Sequence, residues 1–476
     1  MDGRIPDGGE SPSCTRLSFV VARTAPPNTI ALTPHPPMNW QQLISGRRLG
    51  IESYHERKHE RTNFQRDYDR LIFSAPFRRL QNKTQVFPLP GSIFVHNRLT
   101  HSLEVSCVGR SLGANVAARL APRHDADTAA ALHEMGAIVS AACLAHDMGN
   151  PPFGHSGERA ISAFFTDGDG RTLEPNVRAE GGRWEDFVCF EGNANAMRLL
   201  THRFVGRRQG GFALTYSTLA SIVKYPYAST LAGSRGKFGF FQSEEPTYLG
   251  IANELGIPHR DGRFARHPLV YLVEAADDIC YQVMDIEDAH KLRILSAREA
   301  IDLLLGFFEG EQLEHVSRTM MIVDDTNERI AYLRSSVIGL LVDECTRTFV
   351  DHEAELLDGA FPGPLIEGIG SHAAAAYRAC SEVARRKIYT AGEVVDIELA
   401  GHRIFSYLLT AVIDAVLHPT HAYSRLLLSR IPSQYDTASP TVYGKIQCAL
   451  DYISGMTDVY ALDLYRKITG MSLPAV

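Results

Sequence analysis

No Cys-x-x-Cys pair occurs among the eight cysteines, Cys14, Cys107, Cys143, Cys189, Cys280, Cys345, Cys380 and Cys448. Their scatter through apolar stretches argues against a disulfide framework and predicts buried free thiols in a reducing cytosol. Apolar runs of membrane-spanning length are also missing by eye, so no membrane partner is expected. Leu17 to Ala22 is too short and interrupted for the core of a signal peptide, which favours a cytoplasmic protein. Positive charge is short: 48 basic against 55 acidic residues leave −7, so no global field attracts nucleic acid. A nucleotide ligand would need a local basic cluster, such as Arg78-Arg79 with Lys83 or Arg203 with Arg207-Arg208. Such doublets are ordinarily solvated surface. Strand signals are few. The best are Phe212 to Tyr216 and Phe238 to Phe241, each a short β-ribbon or a loop. Neither a long internal repeat nor a heptad array is present.

What remains is helix. The 476 residues are 45% hydrophobic and 22% charged, a globular composition. Residues 1–37 differ, being rich in Pro, Gly, Ser and Thr, and are expected to be disordered, with Met38 a candidate initiator. Helical periodicity runs through residues 61–81, Arg98 to Leu120, 128–146 and Pro268 to about Leu292. It continues in Ile301 to Phe308, Glu328 to Phe349, Ser371 to Arg386, Glu393 to Leu417 and Val442 to Ile468. Gly-rich stretches at 167–182 and 206–211 look like inserted loops. The fold class expected is all-α: a catalytic core over residues 38–300 and a C-terminal helical region over 301–476.

Three separated fragments carry chemistry: Arg98-Leu99-Thr100-His101, His146-Asp147 and Ala275-Ala276-Asp277-Asp278. Together they offer imidazoles and carboxylates, a mixed N/O set suited to a divalent metal that polarises a phosphoryl group. Arg98 and His101 lie one turn apart and share a helix face. His146-Asp147 ends an apolar helix, where it reads equally as a helix cap. Asp277, Tyr281 and Asp285 follow i, i+4, i+8 and form a stripe of poor core material, or else an acidic solvated face. His155 and Glu158, three apart after a Pro/Gly loop, form a plausible acid–base pair or a surface ion pair.

Longer blocks are more specific. They include Phe77-Arg78-Arg79-Leu80 with Lys83-Thr84-Gln85-Val86-Phe87, and His96 to Val105. Others are Leu144 to Asp147 with Pro151 to His155, Gly157-Glu158, Phe190 to Asn195 and Ile222 to Pro226. Lys237 to Glu244, Glu274 to Asp288 and Tyr452 to Asp458 complete them. With these blocks the chain resembles the HD-domain deoxynucleoside triphosphate triphosphohydrolases, the bacterial dGTPase-like proteins. The resemblance implies that His101, His146, Asp147 and Asp277 bind one metal, Mn²⁺ or Mg²⁺. It favours Asp277 over Asp278, because Tyr281 and Asp285 then reach the sugar 3′-hydroxyl. It implies a catalytic His155 supported by Glu158, and phosphate contacts from Arg98, Lys224 and Lys237. Gln85 is implied as a sugar or base contact. The implied reaction is hydrolysis of a dNTP at the α-phosphorus, giving deoxynucleoside and triphosphate. Homo-oligomers, often hexamers, and regulation by dNTP or single-stranded DNA are further implications. The alternatives are another HD-type nucleotidase or phosphodiesterase, and a nucleotide- or single-stranded-DNA-sensing protein with a vestigial site.

Overall fold

The structure, a computed structural model, describes residues 36–52, 60–87 and 95–472. The expectation of disorder for residues 1–37 therefore falls almost wholly outside the described residues. The described residues from Pro37 onward form one compact unit. It is built of helices, and among the described residues the one paired sheet is a two-stranded hairpin, His259–Arg260 against Arg263–Phe264. Its turn residues, Asp261 and Gly262, have φ of 49° and 77°, the double left-handed turn that an Asp-Gly pair favours. The two stretches marked as strand candidates are loops that each make an isolated bridge, Arg48 with Thr215 and Ala228 with Phe240.

Four long helices surround the first apolar cluster: Arg98–Leu120, Met135–Ala145, Pro268–Lys291 and Thr326–Asp351. The Arg98 helix starts where a capping box directs it. The Asn97 side chain accepts from the Thr100 amide at 2.9 Å, and Thr100 Oγ1 accepts from the Asn97 amide at 3.1 Å. That fixes Arg98 and His101 in the first turn. The Met135 helix is apolar all round and almost wholly buried, as a central helix should be. It crosses the Arg98 helix closely because Gly113 meets Gly136. A Cβ at Gly113 would lie 2.9 Å from the Gly136 backbone. The Pro268 helix opens with proline at its first position, where no amide partner is lost.

A second apolar cluster joins His155–Thr166 to Gly392–Leu417, Val442–Ser454 and Asp458–Ile468. Fully buried Phe165, Phe187, Phe405 and Leu409 are in it, each contributing about 1.5–3 kcal/mol on burial. Several helices are shorter than the periodicity suggests. The 61–81 stretch breaks at Phe73-Ser74, the 128–146 stretch at His133-Glu134, and the last helix at Gly455 to Thr457. The supposed loop at 167–182 contains a turn of 3-10 helix, Asp169–Leu173, and a short helix, Glu174–Ala179.

Two stretches, Ala126–Ala145 and Val394–Leu417, are long and apolar enough to cross a membrane by length and composition alone, contrary to the sequence expectation. The first is two helices in succession, and both stretches supply side chains to the apolar clusters. The cysteines among the described residues are free; Cys107 is exposed and Cys189 half-buried, while the others are buried as expected. Cys14 lies outside the described residues.

Candidate active site

The metal-ligand candidates come from three helices that share the first cluster. His101 stands in the first turn of the Arg98 helix. His146 caps the C-terminus of the Met135 helix, and Asp147 follows it. Asp277 stands in the middle of the Pro268 helix. One ligand atom from each of His101, His146 and Asp147 lies within 4.8 Å of the others. Asp277 Oδ1 is 3.0 Å from His101 Nε2 and 3.5 Å from His146 Nε2. His146 Nδ1 donates to the Cys143 carbonyl at 2.5 Å, which leaves Nε2 as its inward-facing donor atom. Imidazole nitrogens and carboxylate oxygens that converge in this way fit a divalent cation. The electrostatics agree. Burial opposes ionisation of Asp277, yet the facing imidazoles hold its carboxyl well below the usual range. Burial likewise disfavours the imidazolium of His146, but Asp147 and Asp277 raise its pKa to about 9. Positive charge is what these carboxylates call for.

Arg98 connects this cluster to the second group. Its Nη1 donates to Asp147 Oδ2 at 2.7 Å, and its Nε is buried without a protein partner. On the other side, a Cβ at Gly154 would fall 2.2 Å from Arg98 Nη2. Gly154 also has φ of 56°, so it answers two demands, a left-handed turn and room for the guanidinium. The turn delivers His155 to the start of its helix. His155 Nδ1 lies 2.8 Å from Glu158 Oε2, and Glu158 Oε1 accepts from the Gly192 amide at 2.9 Å. The hydrogen bond and charge of Glu158 raise the His155 pKa above its ordinary value, against burial.

Beside the pair opens a pocket of about 540 Å³, lined by His155, Glu158, Glu191, Arg235 and Lys237. Lys237 Nζ is 2.7 Å from Glu191 Oε1 and 4.0 Å from Glu158 Oε2. Lys224 stands elsewhere, 2.9 Å from Glu274 at the start of the Asp277 stripe. Along that stripe, the Tyr281 ring lies 6.1 Å from that of Tyr389, tilted by 32°, and Asp285 accepts from Tyr389 Oη at 2.7 Å. Burial pushes the Asp285 carboxyl up to about 8. Gln85 keeps a buried Oε1 without a protein partner. Asp278 makes none of the imidazole contacts of Asp277, and burial raises its pKa to about 7.

Comparison with known proteins decides the family. The model of the HD domain matches residues 98–179, and that of the phosphohydrolase-associated domain matches residues 369–467. A deoxyguanosinetriphosphate triphosphohydrolase-like protein of Pseudomonas aeruginosa is 40% identical over 449 residues, covering 92% of this chain and 100% of its own. One from Synechocystis is 39% identical over 457 residues, with the same coverage. A deoxyguanosinetriphosphate triphosphohydrolase of Yersinia enterocolitica is 31% identical over 511 residues, covering 90% of this chain and 99% of its own. The chain belongs to the deoxyguanosinetriphosphate triphosphohydrolase-like family. It is an HD phosphohydrolase, a hydrolase of phosphoester bonds in a class that binds divalent metals.

Several residues of this HD phosphohydrolase escaped the sequence reading. Asn150 Nδ2 donates to Asp147 Oδ1, Tyr389 holds Asp285, and Glu191 holds Lys237. Only Glu191 and Asn150 sit in or beside a quoted block; Tyr389 carries no local signal at all. Two outcomes follow from the geometry. Gly154→Ala places a side chain at positive φ and on Arg98, so kcat/KM should fall by about tenfold or more for a displaced guanidinium. Steady-state kinetics beside a melting curve check this, and wild-type kinetics would contradict it. Glu158→Gln removes the charge that raises the His155 pKa. The imidazolium loses its partner, so whichever limb of the pH–kcat/KM profile His155 governs should move to lower pH. A profile superimposable on wild type would refute the assignment.

Proposed function

We propose that the protein is a metal-dependent dNTP triphosphohydrolase that cleaves at the α-phosphorus and releases deoxynucleoside and intact triphosphate. The observation that carries this reading is Arg98, which touches Asp147 of the His/Asp cluster and crowds the Gly154 turn before His155. A phosphate gripped by its guanidinium sits within reach of both groups. His101, His146, Asp147 and Asp277 would hold Mn²⁺ or Mg²⁺, which when bound supplies Lewis-acid polarisation of the phosphoryl group. In the reaction a water oxygen joins the α-phosphorus, the bond to the 5′-oxygen breaks, and that oxygen leaves with a proton. His155 is the group to carry a proton. Glu158 occupies its Nδ1, so the transfer uses Nε2. Arg98 stabilises charge on the α-phosphate as it builds.

Lys237, on the pocket wall beside His155, holds the outgoing triphosphate, and Lys224, paired with Glu274 outside that pocket, is a second phosphate contact. Tyr281 and Asp285 take the deoxyribose, with Tyr389 fixing Asp285, and Gln85 offers its unpaired amide oxygen to the sugar or base. We further read residues 38–300 as the catalytic core and 301–476 as its helical extension, in a cytoplasmic homo-oligomer, a hexamer among the candidates, with dNTP or single-stranded DNA as regulators. The names of the relatives and the assembled side chains support the substrate assignment.

The test is a product assay with Mn²⁺ and each dNTP, singly and in pairs. Inorganic triphosphate is the expected product. Phosphate or pyrophosphate as the sole primary product points to another HD-type nucleotidase, and binding without turnover points to a sensor. Native mass spectrometry with and without dNTP reads the assembly.

A further inference from the structure

Two quoted blocks, Lys83-Thr84 and Ser454 to Asp458, have no part in the chemistry above. They meet at the loop between the metal-ligand cluster and His155. Lys83 Nζ, fully buried, donates to the Asn150 carbonyl at 2.6 Å and to the Ser454 carbonyl at 2.9 Å. Asn195 Nδ2 donates to the Gly149 carbonyl at 2.6 Å and to Ser454 Oγ at 3.2 Å. Asp458 completes the junction. Its Oδ2 accepts from the Thr84 amide at 2.8 Å, and its Oδ1 accepts from the Phe153 amide at 2.9 Å. Asp458 is only 8% exposed and opens its helix, where the dipole favours a carboxylate.

Phe153 is the residue that needs holding. It has φ of 59°, and so the pair Phe153–Gly154 is left-handed throughout. A bulky side chain in that region is strained and persists only where the surroundings fix it. Its amide is held on Asp458, its carbonyl accepts from the Ser156 amide at 3.2 Å, and its ring lies edge-on to Phe405 at 6.3 Å between centroids and against Gly401. The next two residues are Gly154, against Arg98, and His155. A relaxed Phe153 would swing both.

The geometry points to Asp458 as a positioning residue for the hydrolysis: it pins the left-handed Phe153 and so aims His155 and leaves Arg98 its place. The inference rests on the functional reading above for its kinetic arm alone. A carboxylate that merely ties the C-terminal helices to the rest would affect melting and not turnover per folded molecule.

Asp458→Asn keeps the shape but turns an amide NH₂ against one of two N–H donors. Expected is a kcat at least tenfold lower, with KM and Mn²⁺ affinity within twofold of wild type. Faster amide exchange is expected over residues 153–155. An unchanged kcat with unchanged exchange overturns the inference, as does a lowered melting temperature with kcat intact. If Asp458→Asn does not fold, Asp458→Glu moves the same charge by one methylene and reads the same quantities. A lowered kcat at constant KM then supports the inference, and wild-type kcat overturns it. If the wild-type enzyme releases triphosphate from no dNTP, the functional reading falls, and the exchange over residues 153–155 alone decides the role of Asp458.

Discussion

Asp277→Ala should cut kcat/KM about a thousandfold while leaving the protein folded. Among the described residues the Asp277 carboxylate lies closest to both imidazoles of the cluster, at 3.0 and 3.5 Å. Its side chain is 36% exposed, so the truncation opens no cavity in the apolar core. What it removes is negative charge facing His101 and His146. A cation held by the remaining His101, His146 and Asp147 loses one anionic ligand, and its polarising power is worth several kcal/mol in a phosphoryl-transfer transition state. A loss of about 4 kcal/mol corresponds to about 10³-fold in kcat/KM. Rates at saturating Mn²⁺, calorimetric Mn²⁺ titration and a melting curve measure the three quantities. Full turnover by Asp277→Ala would show that the reacting phosphate binds somewhere else.

His155→Ala should cut kcat by about 10²–10⁴-fold, the usual value of a positioned proton carrier. The signature differs from that of Asp277→Ala. His155 contacts Glu158 and not the His/Asp cluster, so Mn²⁺ binding should be untouched. Its side chain is 61% exposed on the rim of the pocket, so stability should barely change. KM should shift little, because Arg98 and the lysines remain. A kcat within threefold of wild type would remove His155 from the chemistry and leave the proton to solvent.

The local pairs of the candidate site were legible in the sequence for a local reason, while their assignment to one site rested on the family resemblance. Arg98 and His101, His155 and Glu158, and Asp277, Tyr281 and Asp285 each lie within one or two turns of a single helix, where spacing alone predicts a shared face. The helix stop after Asp147, at Gly149 and Pro151, likewise depends on neighbours in the chain, as does the capping box at Asn97, which the sequence reading missed. Contacts between distant segments were not legible. Nothing around Tyr389 announces that its hydroxyl meets Asp285. Nothing around Lys83 announces that it sits between two carbonyls from opposite ends of the chain. The boundaries inside long periodic stretches also failed, because His133-Glu134 and Gly455 to Thr457 keep the apolar rhythm while the backbone turns. The hairpin at Asp261-Gly262 was readable by rule, since Asp-Gly is a strong two-residue turn signal, but its strands are only two residues long and carry no alternation.

The second apolar cluster has a consequence for how the molecule comes into being. Its members are drawn from residues 160–241 and again from residues 404–464. Synthesis proceeds from the N-terminus, so the scaffold behind His155 must wait, half-dressed, for residues 404–464 to leave the ribosome. The helices that carry His101, His146 and Asp277 all precede residue 404 and can assemble against one another before that. A nascent chain thus gathers the three helices of the His/Asp cluster before the scaffold behind His155 is complete.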